Sequence, residues 1–208
     1  MIHSGITTGT PKKILFGPGV YFEGVEYNEK VAPEETAIKA AIIGATQEGG
    51  TLTITPRLHK IELDGATVDL MELDKKIGED ALAEVSFAEF KAKYMKNQVI
   101  GKLGETTDKQ YEVITSDDQI RPNHYYKGFG YCGALLDGRP VIFLFKQALC
   151  TSGFTTDPKP NANSVFKGTI TCRGDIEYGV TRLPYAIFIR KEEGWTAVNV
   201  DEVAEPAA

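Results

Sequence analysis

This chain is poor in cysteine and lacks both a basic excess and any long apolar run, and each shortage removes a class of function. Its three cysteines, Cys132, Cys150 and Cys172, are widely spaced, odd in number and never in a CxxC pair. A disulfide framework or a structural zinc site is therefore not expected, and buried free thiols are. Lys and Arg total 23 against 29 Asp and Glu, a formal charge of −6. A module that grips nucleic acid needs cationic side chains to neutralise phosphates, so a dedicated DNA-binding domain is disfavoured. The longest apolar runs, such as Pro140-Val141-Ile142-Phe143-Leu144-Phe145, have strand length and fall far short of the roughly 20 residues of a bilayer crossing. The first residues, Met1-Ile2-His3-Ser4-Gly5, carry no basic flank or apolar core of a secretory signal, which predicts a chain made and kept in a cytosol.

Catalytic signatures are equally scarce. The sequence contains no GxxxxGK[ST], GxSxG or HExxH. Gly17-Pro18-Gly19 and Gly128-Phe129-Gly130 do not open a helix after a strand and read as structural turns. Asp117-Asp118 and Asp157 lack the ligand spacing and terminal Glu of a calcium loop. Glu62 and Asp64 share one face of a strand, the arrangement of a glycosidase acid and base, but such pairs in an acidic protein are ordinarily solvated. Cys132 and His124 have the chemistry of a nucleophile and its base, without any oxyanion motif nearby. No catalytic residue, cofactor or metal ligand is expected.

What the chain does have is the grammar of short strands. At 208 residues it is long enough to bury a core. Ile42-Ile43-Gly44-Ala45 runs into a glycine-rich turn at Gly49-Gly50, and 51–55 then alternates Leu52 and Ile54 with threonines. Leu58, Ile61 and Leu63 continue the apolar pattern with one slip that a β-bulge absorbs. Two short strands are expected around Gly17-Pro18-Gly19. Residues 37–43 fit either a short helix started by Pro33, Glu34 and Glu35 or a strand. A charged excursion, 64–80, precedes a strand over 81–90. The best helix lies over 89–103, with Phe90, Tyr94, Ile100 and Leu103 near helical spacing, Lys91, Lys93 and Lys96 on a solvated face, and Gly104 as its stop. Further strands are expected over 108–115, 129–136, 141–148, 166–172 and 185–190, with Asp137-Gly138-Arg139-Pro140 as a hairpin turn. Eight to ten short strands with one helix predict a mostly β protein. The expected division is an N-terminal arm at 1–13, a single β domain at 14–200 and an acidic tail at 201–208.

The block Gly44-Ala45-Thr46-Gln47-Glu48-Gly49-Gly50-Thr51-Leu52-Thr53-Ile54 resembles the tail tube proteins of tailed bacteriophages, in which a Gly-Ala-Thr-x-Gly-Gly-like turn feeds an alternating strand. The likeness continues through Ile61-Glu62-Leu63-Asp64-Gly65-Ala66, the charged excursion and the strand at 81–87. It extends to Phe16-Gly17-Pro18-Gly19-Val20, to Arg139-Pro140-Val141-Ile142-Phe143-Leu144, and to Ala148-Leu149 with Gly153-Phe154. The order and spacing of these motifs carry the resemblance across most of 14–190. Two segments, 28–41 and 115–128, are longer than the family pattern.

The resemblance implies a β-sandwich or partial barrel of two packed antiparallel sheets with one flanking helix. It implies a structural virion protein located in the phage tail and made in the bacterial host cytoplasm. Copies would form homohexameric rings that stack into a hollow conduit, with inner strands of neighbours joined edge to edge. The implied partners are further copies of the chain, the tape-measure protein and DNA in the lumen, and baseplate and tail-terminator proteins; no membrane is implied. The family has no catalytic residues to carry over. An acidic balance suits a bore through which DNA slides without being held, so a neutral or negative lumen is expected. Asp69, Glu72, Asp74, Lys75 and Lys76 are the expected inter-ring contacts, on a loop formed by 64–80. The alternatives are another phage β-component, from the baseplate or the capsid decoration, and a monomeric β-sandwich binding module.

Overall fold

A computed structural model describes residues 7, 9–64, 68, 70–158, 160–161 and 163–195. The chain is mostly β. Ten strands and two short helices follow in the order β1 (Val20–Phe22), α1 (Glu35–Ala40), β2 (Thr46–Lys60), β3 (Asp74–Phe87), α2 (Ala92–Gln98), β4 (Gly101–Gly104), β5 (Val113–Ser116), β6 (Tyr126–Ala134), β7 (Pro140–Cys150), β8 (Thr155–Thr156), β9 (Phe166–Cys172) and β10 (Tyr185–Ile189). Eight of the strands form one antiparallel sheet, ordered β1-β6-β7-β9-β3-β2, with β10 added to β7 and β8 to β9; β4 and β5 form a separate pair. The sheet does not close into a barrel, because β2 pairs only with β3.

Period-two patterning explains the core. Along β3, Ala81, Ala83, Val85 and Phe87 are buried and the residues between them are not; along β9, Phe166, Gly168, Ile170 and Cys172 do the same. These side chains meet Tyr126, Phe129, Phe145 and Ala148 in the main core, where Phe166 stacks on Phe87 with ring centroids 5.2 Å apart. A second cluster, Phe22, Val25, Ile142 and Leu144, is closed by Ile38 of α1. In β6, Tyr126 and Phe129 both join the main core at a spacing of three, as do Phe145 and Ala148 in β7. Strand alternation alone forbids that spacing, so both strands invert their faces at Gly128 and Lys146. Gly128 makes the inversion possible: its φ is +56°, and a Cβ there would lie 1.7 Å from the Val25 carbonyl oxygen.

At the same point the sheet forks. One side of β7 carries β10 along Val141–Phe145 and β9 along Ala148–Cys150. Lys146 N–H donates to the Pro184 carbonyl at 2.9 Å, and Arg173 N–H to the Gln147 carbonyl at 3.0 Å, bridging the gap. The core sits inside the fork.

Several expectations need correction. The helix over 89–103 is only α2, because Ile100 adopts φ +51° and 101–104 leaves to pair with β5. A second helix, α1, resolves the open reading of 37–43. The strand expected at 108–115 is confined to β5. Around Gly17-Pro18-Gly19 there is one strand, β1, and a single bridge from Leu15 to Leu135. Gly49-Gly50 is not a hairpin turn but a bulge inside β2, where the register jumps between Thr46 and Gly50. The register also shifts between Arg57 and Leu58, but the extra residue is Ile77 of β3, so this bulge does not absorb the slip expected after Leu58. The excursion at 64–80 is not all loop: 74–80 is the first half of β3. The tail expected at 201–208 lies outside the described residues, as does 1–6 of the arm; Pro11–Lys13 forms a 3-10 turn. No helix among the described residues is long and apolar enough to cross a membrane.

Candidate assembly surface

The feature with most functional content is an arm. β3 pairs with β9 only from Leu82 onward, whereas β2 and β3 stay paired from Thr46↔Phe87 out to Lys60↔Asp74. Beyond Ala81 the two strands project as a ribbon with no third strand. Isolated two-stranded ribbons are marginal in water, and this one exposes aliphatic residues, among them Leu58, Leu63, Ile77 (61 % exposed) and Met71 (81 % exposed).

Its base is fastened by Glu79, which is only 8 % exposed. Oε1 accepts the Leu183 N–H at 3.0 Å, and Oε2 accepts the Tyr185 hydroxyl at 3.3 Å and the Lys76 ammonium. Burial pushes the Glu79 carboxyl up, but the hydrogen bonds from Lys76, Leu183 and Tyr185 outweigh it and hold it below the usual carboxylate range. Glu79 thus ties the arm to the start of β10. Sequence reading missed it, and only its odd-numbered place among the inward residues of β3 could have signalled it.

The expected contact residues divide accordingly. Asp69 lies outside the described residues. Glu72 sits in the 3-10 turn Met71–Leu73 at the far end. Asp74 and Lys75 face Lys60 and His59 across the ladder, exposed and near that end. Lys76 is turned back onto Glu79 and is committed to the arm's own base. Glu62, Asp64, Glu72 and Asp74 have no cationic partner among the described residues.

The solvent face of the sheet beside the arm is rich in hydroxyls. Thr51 and Thr169 flank Glu84 in register, and Thr53 and Thr171 flank Leu82. The Thr151 and Thr171 hydroxyls are 2.9 Å apart. Two ion pairs neutralise its flanks, Arg57–Asp80 at 3.1 Å and Lys167–Glu48 at 3.3 Å. A shallow groove of 390 Å³ crosses this face between Glu48, Glu84, Ser152 and Lys167.

The residues weighed as chemical candidates have structural work. His124 is fully buried; its Nδ1 accepts the Arg121 N–H at 3.0 Å and its Nε2 lies 3.5 Å from Asp117. Cys132 is half-buried, and burial raises its thiol pKa. Among the described residues no three His, Cys, Asp or Glu side chains converge as a metal site. A scan against protein-family models finds no family that matches this chain, and no curated protein matches it in sequence.

Proposed function

We propose that this protein is a structural subunit that assembles with copies of itself into stacked hexameric rings, forming the tube of a phage tail through which DNA passes. The observation that carries the reading is the flank of β2 and its projecting arm, which no described residue covers. An exposed edge of this length is an aggregation liability unless something pairs with it. Closing a ring of copies removes the edge, and stacking the rings yields a tube. The motifs at 44–54, 61–66 and 139–154, which resemble the tail tube family, supply the kind of assembly. The hydroxyl-rich face with compensated charges suits the wall of a bore, because it offers a passing polyanion no row of cations to bind.

The test is sedimentation velocity on the purified chain over a concentration series, with negative-stain electron microscopy of the same samples. Hollow sixfold rings or tubes are expected, and their loss when 61–73 is replaced by a two-residue Asn-Gly turn. A chain that stays monomeric throughout refutes the reading. A discrete oligomer without a central channel moves it to a baseplate or capsid-decorating component.

A further inference from the structure

The far end of the arm has a chemical counterpart elsewhere on the same chain. Between Ile61 and Asp74 the sequence contains no lysine or arginine, and its described carboxylates have no cationic partner. Exposed aliphatic residues, Ile61, Leu63, Leu70 and Met71, lie among them. The end of the arm is therefore acidic and apolar.

The counterpart surrounds the β6–β7 turn. Arg139, itself buried, draws three segments into one surface. Its Nε donates to Asp137 at 2.7 Å, Nη1 to the Arg190 carbonyl at 3.1 Å, and Nη2 to the Lys12 carbonyl at 2.6 Å. Leu136 N–H donates to the Ile14 carbonyl at 2.8 Å, and Phe16 N–H to the Ala134 carbonyl at 3.0 Å. The surface so formed exposes Ile14, Leu15, Phe16 (66 % exposed), Leu136 and Ile189. Around them stand Lys13, Arg190 and Lys191, all exposed. The local acids Asp137 and Glu192 are taken up by Arg139 and by Lys12 at 2.5 Å, leaving Glu193, among the described residues, as the exposed carboxylate of this surface without a cation. Lys13 and Lys191 have no carboxylate partner among the described residues. This patch is basic and apolar.

We infer that the acidic, apolar end of the arm of one copy docks on the basic, apolar patch around the β6–β7 turn of a second copy. The inference rests on the self-assembly reading and adds which two surfaces meet. Charge decides the pairing. Two arms repel each other, as do two patches, and only arm on patch brings opposite charges together while covering aliphatic surface on both sides. Where the contact is not reciprocated about a twofold axis it is heterologous, and its repetition leads to a closed ring or a filament.

Charge reversal tests this without touching the core. The patch variant Lys13→Glu/Lys191→Glu and the arm variant Glu62→Lys/Glu72→Lys alter exposed residues outside the ladder, so their melting temperatures should match the wild type. Each is expected to raise the midpoint concentration for assembly at least about tenfold, which corresponds to about 1.4 kcal/mol. Combining all four substitutions in one chain should restore assembly. Mixing the two non-assembling variants should also restore it, since each then carries the complement of the other. If the wild type assembles and either variant assembles at an unchanged midpoint, or if neither combination rescues, the inference is overturned while the assembly reading stands. A wild type that never assembles overturns both.

Discussion

Replacing Glu79 by alanine tests whether the arm is fastened to the body as its geometry indicates. The carboxylate is shielded from water, and its Oε1 is the acceptor for the Leu183 main-chain N–H. Removing it strands that N–H and the Tyr185 hydroxyl. A buried donor left without an acceptor costs roughly 1–3 kcal/mol. Lys76 adds little to the loss, because its half-exposed ammonium regains water when the partner goes. The expected loss is about 2 kcal/mol. At roughly 2–4 °C per kcal/mol for a chain of this size, Tm falls by about 4–8 °C. The assay is thermal unfolding of the monomer by circular dichroism over a pH series. Because the folded pKa of Glu79 lies below its unfolded value, roughly 4.3, its contribution is complete above that value. It is lost as pH falls through the folded pKa. The gap in Tm between wild type and Glu79→Ala should therefore be full at neutrality and close in acid. No gap at neutrality, or one that persists unchanged in acid after the carboxyl is protonated, would refute the reasoning.

Two further outcomes follow from the core. Gly128→Ala should lower stability by about 3 kcal/mol or more, since it combines a positive φ with a Cβ driven into the Val25 carbonyl; an unmoved urea midpoint would mean that the segment at Val25 yields freely. In the native chain, a thiol reagent at mildly alkaline pH should reach Cys150 and Cys172 only after unfolding. Cys150 and Cys172 are buried, and burial pushes the Cys172 thiol up to about 12. Rapid native modification of Cys172 would contradict its placement.

Much of the sheet was legible because its signals are local. The alternation at 81–87 and 166–172 needs only the two-residue period of a strand, and Asp137-Gly138 needs only a turn that accepts a positive φ, which Gly138 shows at +84°. What failed depended on partners distant in sequence. Residues 101–104 have helical spacing yet pair with 113–116, a contact periodicity cannot register. Residues 74–80 read as loop because charged residues are depleted in strands with a buried face, whereas 74–77 of this ribbon are exposed on both faces and tolerate them. The patch around the β6–β7 turn was invisible for the same reason: Lys13, Leu136 and Lys191 are brought together by the bonds of Arg139 and by main-chain bonds between distant segments.

The treatment of the sheet's two flanks bears on the proposed assembly. The flank at β1 is sealed by the chain itself: Ile43 N–H donates to the Tyr21 carbonyl at 3.0 Å, Glu23 N–H to the Ala41 carbonyl at 2.9 Å, and Phe22 bridges to Ile42. The flank at β2 receives no such cover from the described residues. A monomer selected to remain alone would blunt both edges. Within the open strand Pro56 marks a division, because a residue without an N–H cannot contribute a donor to an added ladder. Main-chain pairing with a neighbour is therefore favoured along 46–55, beside the hydroxyl-rich face. Beyond Pro56 recognition must pass to side chains, which is where the chain places its unpaired carboxylates and exposed aliphatics. The same strand thus divides into a stretch suited to extending a sheet and a stretch suited to choosing which surface it meets.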